Sequence, residues 1–259
     1  MKFKNLILLA LVLLLSLAAS AADQIIRLDT RDGVKVPVYY MKRDGATATV
    51  ILLPGGAGGF GTPADGKPTG NNFLVRTRDY FADAGLNVAV MSRASDKSDL
   101  DYPDRISPEH MLDIQKLVAY LKADAGLPVW LVGTSRGTVS ATAAAIAFGN
   151  AELAGIVLTS SVVEHKKVGA VPTQDLAAIK IPVLVVHHEN DACRLCKPYE
   201  VPSIIKGLKN APFTKLVMVS GGSNPTGDPC ESFHYHGYIG MEQEAVGIIT
   251  NWIKHPTSQ

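Results

Sequence analysis

The chain has 259 residues, a formal net charge of +1 and 47% hydrophobic residues, and only 19% of its residues are charged. This near-neutral balance argues against nucleic acid as a partner, because phosphate recognition needs a clustered excess of lysine and arginine. The length suits one large α/β domain better than two small ones.

The N-terminus has the three-part layout of a secretory signal peptide. Two lysines precede an apolar run over residues 6–19, and small residues follow up to Ala22. The run is shorter than the roughly 20 apolar residues of a membrane span, and it ends in a small-residue cleavage pattern. We predict cleavage after Ala21 or Ala22. Residues 1–22 would then be a signal peptide, and residues 23–259 one exported domain without a stable membrane anchor.

After the leader, short β-rich runs alternate with helical patterns. This alternation is typical of an α/β fold, with a mostly parallel sheet and helices on both of its faces. The first two runs flank Asp32-Gly33 and predict an antiparallel hairpin at one edge. The later runs are mostly apolar throughout, as expected for strands buried on both faces. The hairpin is predicted over residues 24–28 and 34–40, and the buried strands over 47–53, 86–91, 129–132, 155–159, 181–186 and 214–219.

Three helices are predicted between and after these strands. The first begins at Ser107-Pro108, a capping residue followed by a proline at the first helical position. The second, residues 138–148, is rich in alanine, and the third, residues 238–253, has one apolar face. Only about twenty residues separate the strand ending at 159 from the strand beginning at 181, too few for a further domain. We therefore predict no large cap over the site.

A sequence motif that carries chemistry follows the third buried strand. That strand runs directly into Gly133-Thr134-Ser135-Arg136-Gly137 and then into a helix. Gly-x-Ser-x-Gly between a strand and a helix is the pattern of a nucleophile elbow, a sharp turn in which small residues flank an exposed serine hydroxyl. The alternative is an ordinary glycine-rich turn. The setting favours Ser135 as a nucleophile.

With this motif in this setting, the chain resembles the α/β-hydrolase superfamily from about residue 47 to residue 253, and especially its small secreted bacterial members. The resemblance implies that residues 23–259 form one α/β-hydrolase domain, a serine hydrolase whose catalytic residues follow in the order serine, acid, histidine. A serine hydroxyl is a weak nucleophile at neutral pH. It therefore needs a histidine base and usually a carboxylate that holds the imidazole in one tautomer.

The resemblance implies an acid a few residues beyond the strand that ends at residue 186. Asp191 matches that position best, and Glu189 is an alternative beside it. Glu164, after the preceding strand, occupies a position that some family members use instead.

The base is implied between the last strand and the last helix, where His234 and His236 both lie. His236-Gly237-Tyr238 is similar to the His-Gly-aromatic pattern at the family's catalytic histidine, so His236 is preferred. For His187 and His188, at a strand end, we expect packing or hydrogen bonding to the backbone.

The resemblance also implies an oxyanion hole formed by two backbone N–H groups. One would belong to Arg136, directly after the nucleophile. The other would come from residues 54–59, Pro-Gly-Gly-Ala-Gly-Gly, here named the glycine-rich loop, with Gly56 as the preferred donor. Pro54 stands where the family often has histidine, which leaves the donor within the loop open. The loop lacks the lysine and Ser/Thr ending of a phosphate-binding P-loop, and a plain flexible loop is the other interpretation.

Cys193, Cys196 and Cys230 lie in the last third of a chain predicted to be exported, where an oxidising compartment permits a disulfide. If Asp191 and His236 meet, Cys193 and Cys230 lie on neighbouring loops, and we predict a bond between them that ties these loops together. A Cys196–Cys230 bond and a redox-active Cys193-x-x-Cys196 motif are the alternatives. No second ligand pair stands at zinc-site spacing, so no metal and no cofactor are predicted.

Together these residues predict hydrolysis of a small-molecule acyl substrate through an acyl-enzyme. Esters are the first substrate class and peptide or amide bonds the second. A non-catalytic binding protein that keeps the fold is an alternative, because a fold alone does not determine function. A lyase or transferase that uses the same three residues also stays open.

Overall fold

The computed structural model describes residues 22–258, which form an eight-stranded sheet with helices packed against it. The predicted signal peptide, apart from Ala22, lies outside the described residues. The strands are β1 (Gln24–Arg31), β2 (Val34–Met41), β3 (Thr49–Leu53), β4 (Asn87–Met91), β5 (Val129–Thr134), β6 (Gly155–Thr159), β7 (Val183–His188) and β8 (Thr214–Val219).

The strand order is β1-β2-β4-β3-β5-β6-β7-β8. The β1–β2 and β2–β4 pairs are antiparallel, and all the others are parallel. The predicted hairpin turns at Asp32-Gly33, where Gly33 has a φ of 67° that glycine adopts without steric cost. Every residue of β3 to β7 is buried, in agreement with the apolar runs. The predicted mostly parallel sheet is thus confirmed.

The helices are α1 (Phe73–Arg76), α2 (Arg78–Asp83), α3 (Pro108–Ala125), α4 (Arg136–Ala144), α5 (Asn150–Glu152), α6 (Pro202–Gly207) and α7 (Glu242–Lys254). The start of α3 is as predicted, because Ser107 Oγ accepts the His110 N–H at 3.2 Å and Pro108 is the first helical residue. No helix within residues 22–258 combines the length and apolar character needed to cross a membrane.

Side chains alternate across the sheet and divide the core into two apolar layers. Leu131 of β5 packs in the layer that contains α3 and α4. Its neighbours Trp130 and Val132 pack in the opposite layer with α2 and α7. Because both faces are covered, side chains from several strands can meet in an open cavity at the ends of the strands.

The starts of two predicted helices differ from the sequence prediction. Helix α4 begins at Arg136, two residues earlier than predicted, because Ser135 itself forms the turn from β5. Helix α7 begins at Glu242 instead of residue 238, because Tyr238 and Gly240 have φ angles of 58° and 75°, which no helix contains. In the described chain, β6 and β7 are joined by only two short 3₁₀ helices and loops, so no large cap is present.

Acid is expected to weaken the fold through His110, whose Nε2 bonds Ser140 Oγ of α4 at 3.0 Å. Burial, with a smaller contribution from Arg105, lowers the pKa of His110 to about 3. In the unfolded chain the pKa of His110 stays near 6.5. As the pH falls, the unfolded chain therefore binds a proton at His110 at a higher pH than the folded chain does. The folded state therefore becomes less stable relative to the unfolded state as the pH falls below about 6.5. From pH 7 to pH 5 we expect the free energy of unfolding to fall by about 2 kcal/mol on this account.

Urea unfolding of the wild type and of His110→Gln at both pH values tests this expectation. The variant should lose less stability than the wild type on acidification, by about that amount. An equal loss in both proteins would contradict it.

Candidate active site

The site forms where parallel strands end at the same edge of the sheet. The glycine-rich loop follows β3, the Gly-x-Ser-x-Gly turn follows the central strand β5, and the loop with Asp191 follows β7. The segment with His236 lies between β8 and α7. Residues that are far apart in sequence meet there because parallel strands have a common direction.

Ser135 forms the turn between β5 and α4 with φ 52° and ψ −125°. Its N–H donates to the Thr159 carbonyl at 3.0 Å. Its own carbonyl accepts the Thr138 hydroxyl at 2.6 Å. A positive φ is strained for a residue with a Cβ and persists where the surroundings enforce it, which is common at functional sites.

The glycines around Ser135 are required by close backbone approach. A Cβ at Gly133 would overlap the Gly137 carbonyl oxygen, and a Cβ at Gly137 would overlap the Leu53 carbonyl oxygen at the end of β3. A Cβ at Gly55 would lie 2.8 Å from the Cβ of Ser135. The glycine-rich loop therefore lies directly against the serine turn.

Asp191 and His236 form a buried pair, with His236 Nδ1 2.8 Å from Asp191 Oδ2. The other carboxylate oxygen accepts the Cys193 N–H at 2.9 Å. A hydrogen bond from Nδ1 to a carboxylate leaves Nε2 of a neutral imidazole free to accept a proton. That Nε2 is buried and has no hydrogen-bond partner within residues 22–258.

The backbone around His236 is held by polar contacts from two strands. The Ser160 hydroxyl, just after β6, donates to the His236 carbonyl at 2.8 Å. The Tyr238 hydroxyl donates to the Val186 carbonyl of β7 at 2.8 Å. A side chain at Gly237 would overlap the Ser232 carbonyl. These contacts explain why a glycine and a tyrosine follow His236.

The alternative candidates for the acid and the base lie elsewhere. The ring of His234 packs against Tyr235, with centroids 5.5 Å apart. The Glu164 carboxylate accepts a hydrogen bond from Lys197 at 3.1 Å. Glu189 is exposed, next to β7. Of the two histidines predicted as the base, it is therefore His236 that contacts a carboxylate, and that carboxylate is Asp191.

His187 lies beside this pair, with Nε2 3.5 Å from Asp191 Oδ2. Its Nε2 donates to the Cys196 carbonyl at 2.8 Å. Burial lowers the pKa of His187 to about 4, although Asp191 opposes the shift. His187 is therefore neutral at neutral pH, and Asp191 can stabilise a positive charge on His236 without a second cation beside it.

A cavity of about 360 Å³ opens between these elements. Ser135 and His236 both line it, as do Gly56 and Arg136, the residues predicted to supply the oxyanion donors. Arg136 is the first residue of α4, where helical N–H groups lack intrahelical partners. Its guanidinium lies over the ring of Tyr102, 5.1 Å from the centroid.

No protein-family model matches the chain, and no curated protein matches its sequence. Solved structures do match, over almost the whole chain. An α/β serine hydrolase homologue from Coxiella burnetii has a TM-score of 0.60 and 14% identity, and the match covers 92% of this chain and 99% of that one. A dienelactone hydrolase from Anabaena variabilis has a TM-score of 0.62 and 15% identity, with 91% and 98% covered. An esterase from Pyrococcus furiosus has a TM-score of 0.65 and 16% identity, with 90% of each chain covered.

The chain has the α/β-hydrolase fold. This agrees with the resemblance seen in the sequence, from the mostly parallel sheet to the sharp turn at Ser135. Sequence identities this low show a shared fold but not a shared function, so any chemistry must be argued from the residues themselves.

A disulfide between Cys193 and Cys230 joins two loops of the α/β-hydrolase fold at the wall of the cavity, as predicted. One loop carries Asp191 and the other leads to His236. Cys196 is a free and buried cysteine, and burial raises the pKa of its thiol.

Within residues 22–258, one close group of potential metal ligands is found. It consists of Cys193, Cys196 and His236, whose ligand atoms lie within 4.8 Å of one another. The sulfur of Cys193 is bonded to Cys230 and cannot act as a thiolate ligand. The donor set therefore does not fit a metal while the disulfide is intact.

Reduction of the disulfide is expected to lower the free energy of unfolding by about 4 kcal/mol, because a closed loop with a sequence separation of 37 residues is released. Urea unfolding with and without a dithiol reductant measures the loss. Cys230→Ser should show the loss without reductant and no further change with it. Cys196→Ser is the matched control and should stay as sensitive to reductant as the wild type. A reductant-insensitive wild type would contradict the expectation.

Sequence reasoning missed one residue of the site, Arg105, which is 1% exposed and lies beneath the glycine-rich loop. Its guanidinium donates to the carbonyls of Pro54 and Gly56 and to the Ser140 hydroxyl. These partners lie 51, 49 and 35 residues away in the chain. No local pattern could have marked Arg105, because nothing near it in sequence shows what it contacts.

Proposed function

We propose that the protein is a serine hydrolase in which Ser135 is the nucleophile, His236 the base and Asp191 the acid that orients His236. One observation carries the proposal. His236 bonds Asp191 through Nδ1, its Nε2 is buried without a partner among the described residues, and it lines the same cavity as Ser135. Hydrogen bonds between base and nucleophile often tighten only when substrate binds.

In the proposed reaction, His236 Nε2 takes the hydroxyl proton as Ser135 Oγ bonds to the acyl carbon. The carbonyl electrons move to oxygen, and the N–H groups of Gly56 and Arg136 stabilise this oxyanion. The protonated imidazole then donates its proton to the leaving alcohol as the ester bond breaks. Water, activated by the same nitrogen, repeats these steps on the acyl-enzyme and releases the acid.

We propose a carboxylic ester with a short acyl chain as the substrate. The cavity volume of about 360 Å³ is near the lower end of the range for ligand pockets. Glycines, Asn71 and Asn72 contribute to its lining, which suits a small and partly polar group. Two of the structures with the same fold, an esterase and a dienelactone hydrolase, are described as ester-cleaving enzymes by their names.

Labelling of the purified mature protein with a fluorophosphonate probe tests the nucleophile. The wild type should be labelled and Ser135→Ala should not. Ser203→Ala is a matched control on α6 and should be labelled like the wild type, because the Ser203 hydroxyl donates to the nearby Glu200 carbonyl. Labelling that persists in Ser135→Ala would show that another residue is the nucleophile. No labelling in any of the three would favour a binding protein, and chromogenic esters of increasing acyl length would then show no turnover.

We propose in addition that the protein is exported and that its signal peptide is removed by cleavage after Ala21 or Ala22. The Cys193–Cys230 disulfide supports an oxidising compartment, since such bonds rarely persist in the cytosol. N-terminal sequencing of the mature protein should find Ala22 or Asp23 first. If the first residue is Met1 instead, the export proposal is wrong, and the proposed chemistry is unaffected.

A further inference from the structure

Arg105 is a buried cation without an anionic partner. No ion pair to a carboxylate is found for it among the described residues. Instead its Nε donates to the Leu100 carbonyl at 3.1 Å and one Nη to the Ser140 hydroxyl at 3.2 Å. Burial and the charge of Arg136 lower its pKa to about 9, so it stays protonated at neutral pH. Burying a charge destabilises the fold unless hydrogen bonds compensate for the lost water, so the hydrogen bonds of Arg105 should explain its position.

The other Nη of Arg105 bonds two peptides of the glycine-rich loop. It donates to the Pro54 carbonyl at 3.2 Å and to the Gly56 carbonyl at 3.0 Å. The Gly55 carbonyl between them accepts the Gly58 N–H at 3.0 Å. Three consecutive carbonyls are thereby engaged.

This pattern determines where the Gly56 N–H points. Peptide units are planar, so the N–H of a trans peptide points opposite to its carbonyl. The Gly56 N–H belongs to the same peptide as the Gly55 carbonyl, which accepts the hydrogen bond from the Gly58 N–H. The peptides before and after it contain the Pro54 and Gly56 carbonyls, which accept hydrogen bonds from Arg105. Gly56 has a φ of 55° and is exposed at the cavity, where a loop free of these bonds would adopt many conformations.

The loop has room for the guanidinium because residue 58 is a glycine. At Gly58, which has a φ of 79°, a Cβ would lie 3.2 Å from an Nη of Arg105 and 2.7 Å from a side-chain carbon of Leu100. The glycines therefore serve two purposes, one toward the cavity and one toward the buried cation. Only arginine offers five donors in a rigid fork, so lysine cannot reproduce the same set of bonds.

We propose that Arg105 is the positioning residue of the oxyanion hole, a clamp that holds the peptides on both sides of the Gly56 N–H. This rests on the proposed function for its catalytic consequence. The clamp itself is a property of the fold. Arg105 would not touch the substrate but would act through the loop that does. Its fixed positive charge behind the loop would also favour a developing negative charge in front of it.

The test uses Arg105→Met and Arg105→Lys in the full mature protein, with a short-chain chromogenic ester. We expect Arg105→Met to lower kcat about 100-fold, comparable to the loss of one oxyanion donor, with KM changed less than about 3-fold. Arg105→Lys keeps the charge but cannot make all of the bonds that Arg105 makes. It should recover part of the lost kcat.

Arg31→Met is the matched control, because Arg31 is a mostly buried arginine bonded to Asp113 and far along the edge strand β1. It should lose stability in urea yet keep the kcat of the wild type. A purely structural role for Arg105 predicts instead that kcat follows the folded fraction in both variants.

Hydrogen–deuterium exchange of peptides that cover residues 54–59 provides a readout that needs no turnover. Exchange should be faster in Arg105→Met and unchanged in Arg31→Met. Unchanged exchange together with unchanged kcat in the folded Arg105 variants would overturn the proposal. Faster exchange in a protein whose wild type hydrolyses no ester would uphold the clamp and refute the proposed function. If Arg105→Met does not fold, Arg105→Lys gives the same two readouts.

Discussion

Asp191→Asn is expected to lower kcat for ester hydrolysis by about 10⁴-fold with little change in KM. The carboxylate accepts a hydrogen bond from the Nδ1–H of His236 at 2.8 Å, which in the proposed mechanism leaves Nε2 unprotonated and able to take the serine proton. An asparagine can instead donate its amide N–H to Nδ1. The ring then carries its proton on Nε2, the wrong tautomer for a base, although the geometry is unchanged.

Steady-state kinetics with a chromogenic ester at neutral pH measures this effect. Glu189→Gln and Glu164→Gln are the controls, since both were alternatives for the acid and each loses one charge in the same way. Neither contacts His236, so both should keep kcat within about 3-fold of the wild type. A loss in either control that equals the loss in Asp191→Asn would show that the acid has been assigned to the wrong residue.

Gly137→Ala is expected to destabilise the fold by about 3 kcal/mol or more, because the new Cβ would overlap the Leu53 carbonyl oxygen. That oxygen is backbone in a central strand and cannot rotate away as a flexible side chain would. The strand β3 and helix α4 must separate, which also displaces Ser135 and the glycine-rich loop. The same variant should therefore lose ester hydrolysis and fluorophosphonate labelling.

Gly247→Ala is the matched control for this prediction. Gly247 lies on an exposed face of α7, and a Cβ added there would meet nothing within 4 Å, so alanine should stabilise the helix by about 0.5–1 kcal/mol. Urea unfolding of both variants decides the matter. A Gly137→Ala variant that is as stable as the wild type would mean that the turn has more room than its contacts indicate.

Local sequence patterns predicted the elements that depend on neighbours in the chain. The apolar runs became buried strands because a strand covered on both faces needs apolar residues at every position. The start of α3 followed from Ser107-Pro108, whose capping bond spans only three residues. The starts of α4 and α7 were misplaced, because positive φ angles at Ser135, Tyr238 and Gly240 have no periodic signature.

The loops left alternatives that periodicity could not separate. His234 and His236 are two residues apart on one irregular segment, and Asp191 and Glu189 are two residues apart on another. Which carboxylate reaches which ring depends on how these segments leave their strands. The cysteines posed the same difficulty, since three of them allow several pairs.

The sequence by itself predicted the buried strands and the sharp turn at Ser135, because apolar runs and the Gly-x-Ser-x-Gly motif are local patterns that can be read without knowing which strands pair. Tertiary structure alone decided the meeting of Asp191 with His236 across 45 residues and the contacts of Arg105 across 35 to 51. Such contacts form only when the ends of several strands come together, because their partners leave no mark on one another in the chain.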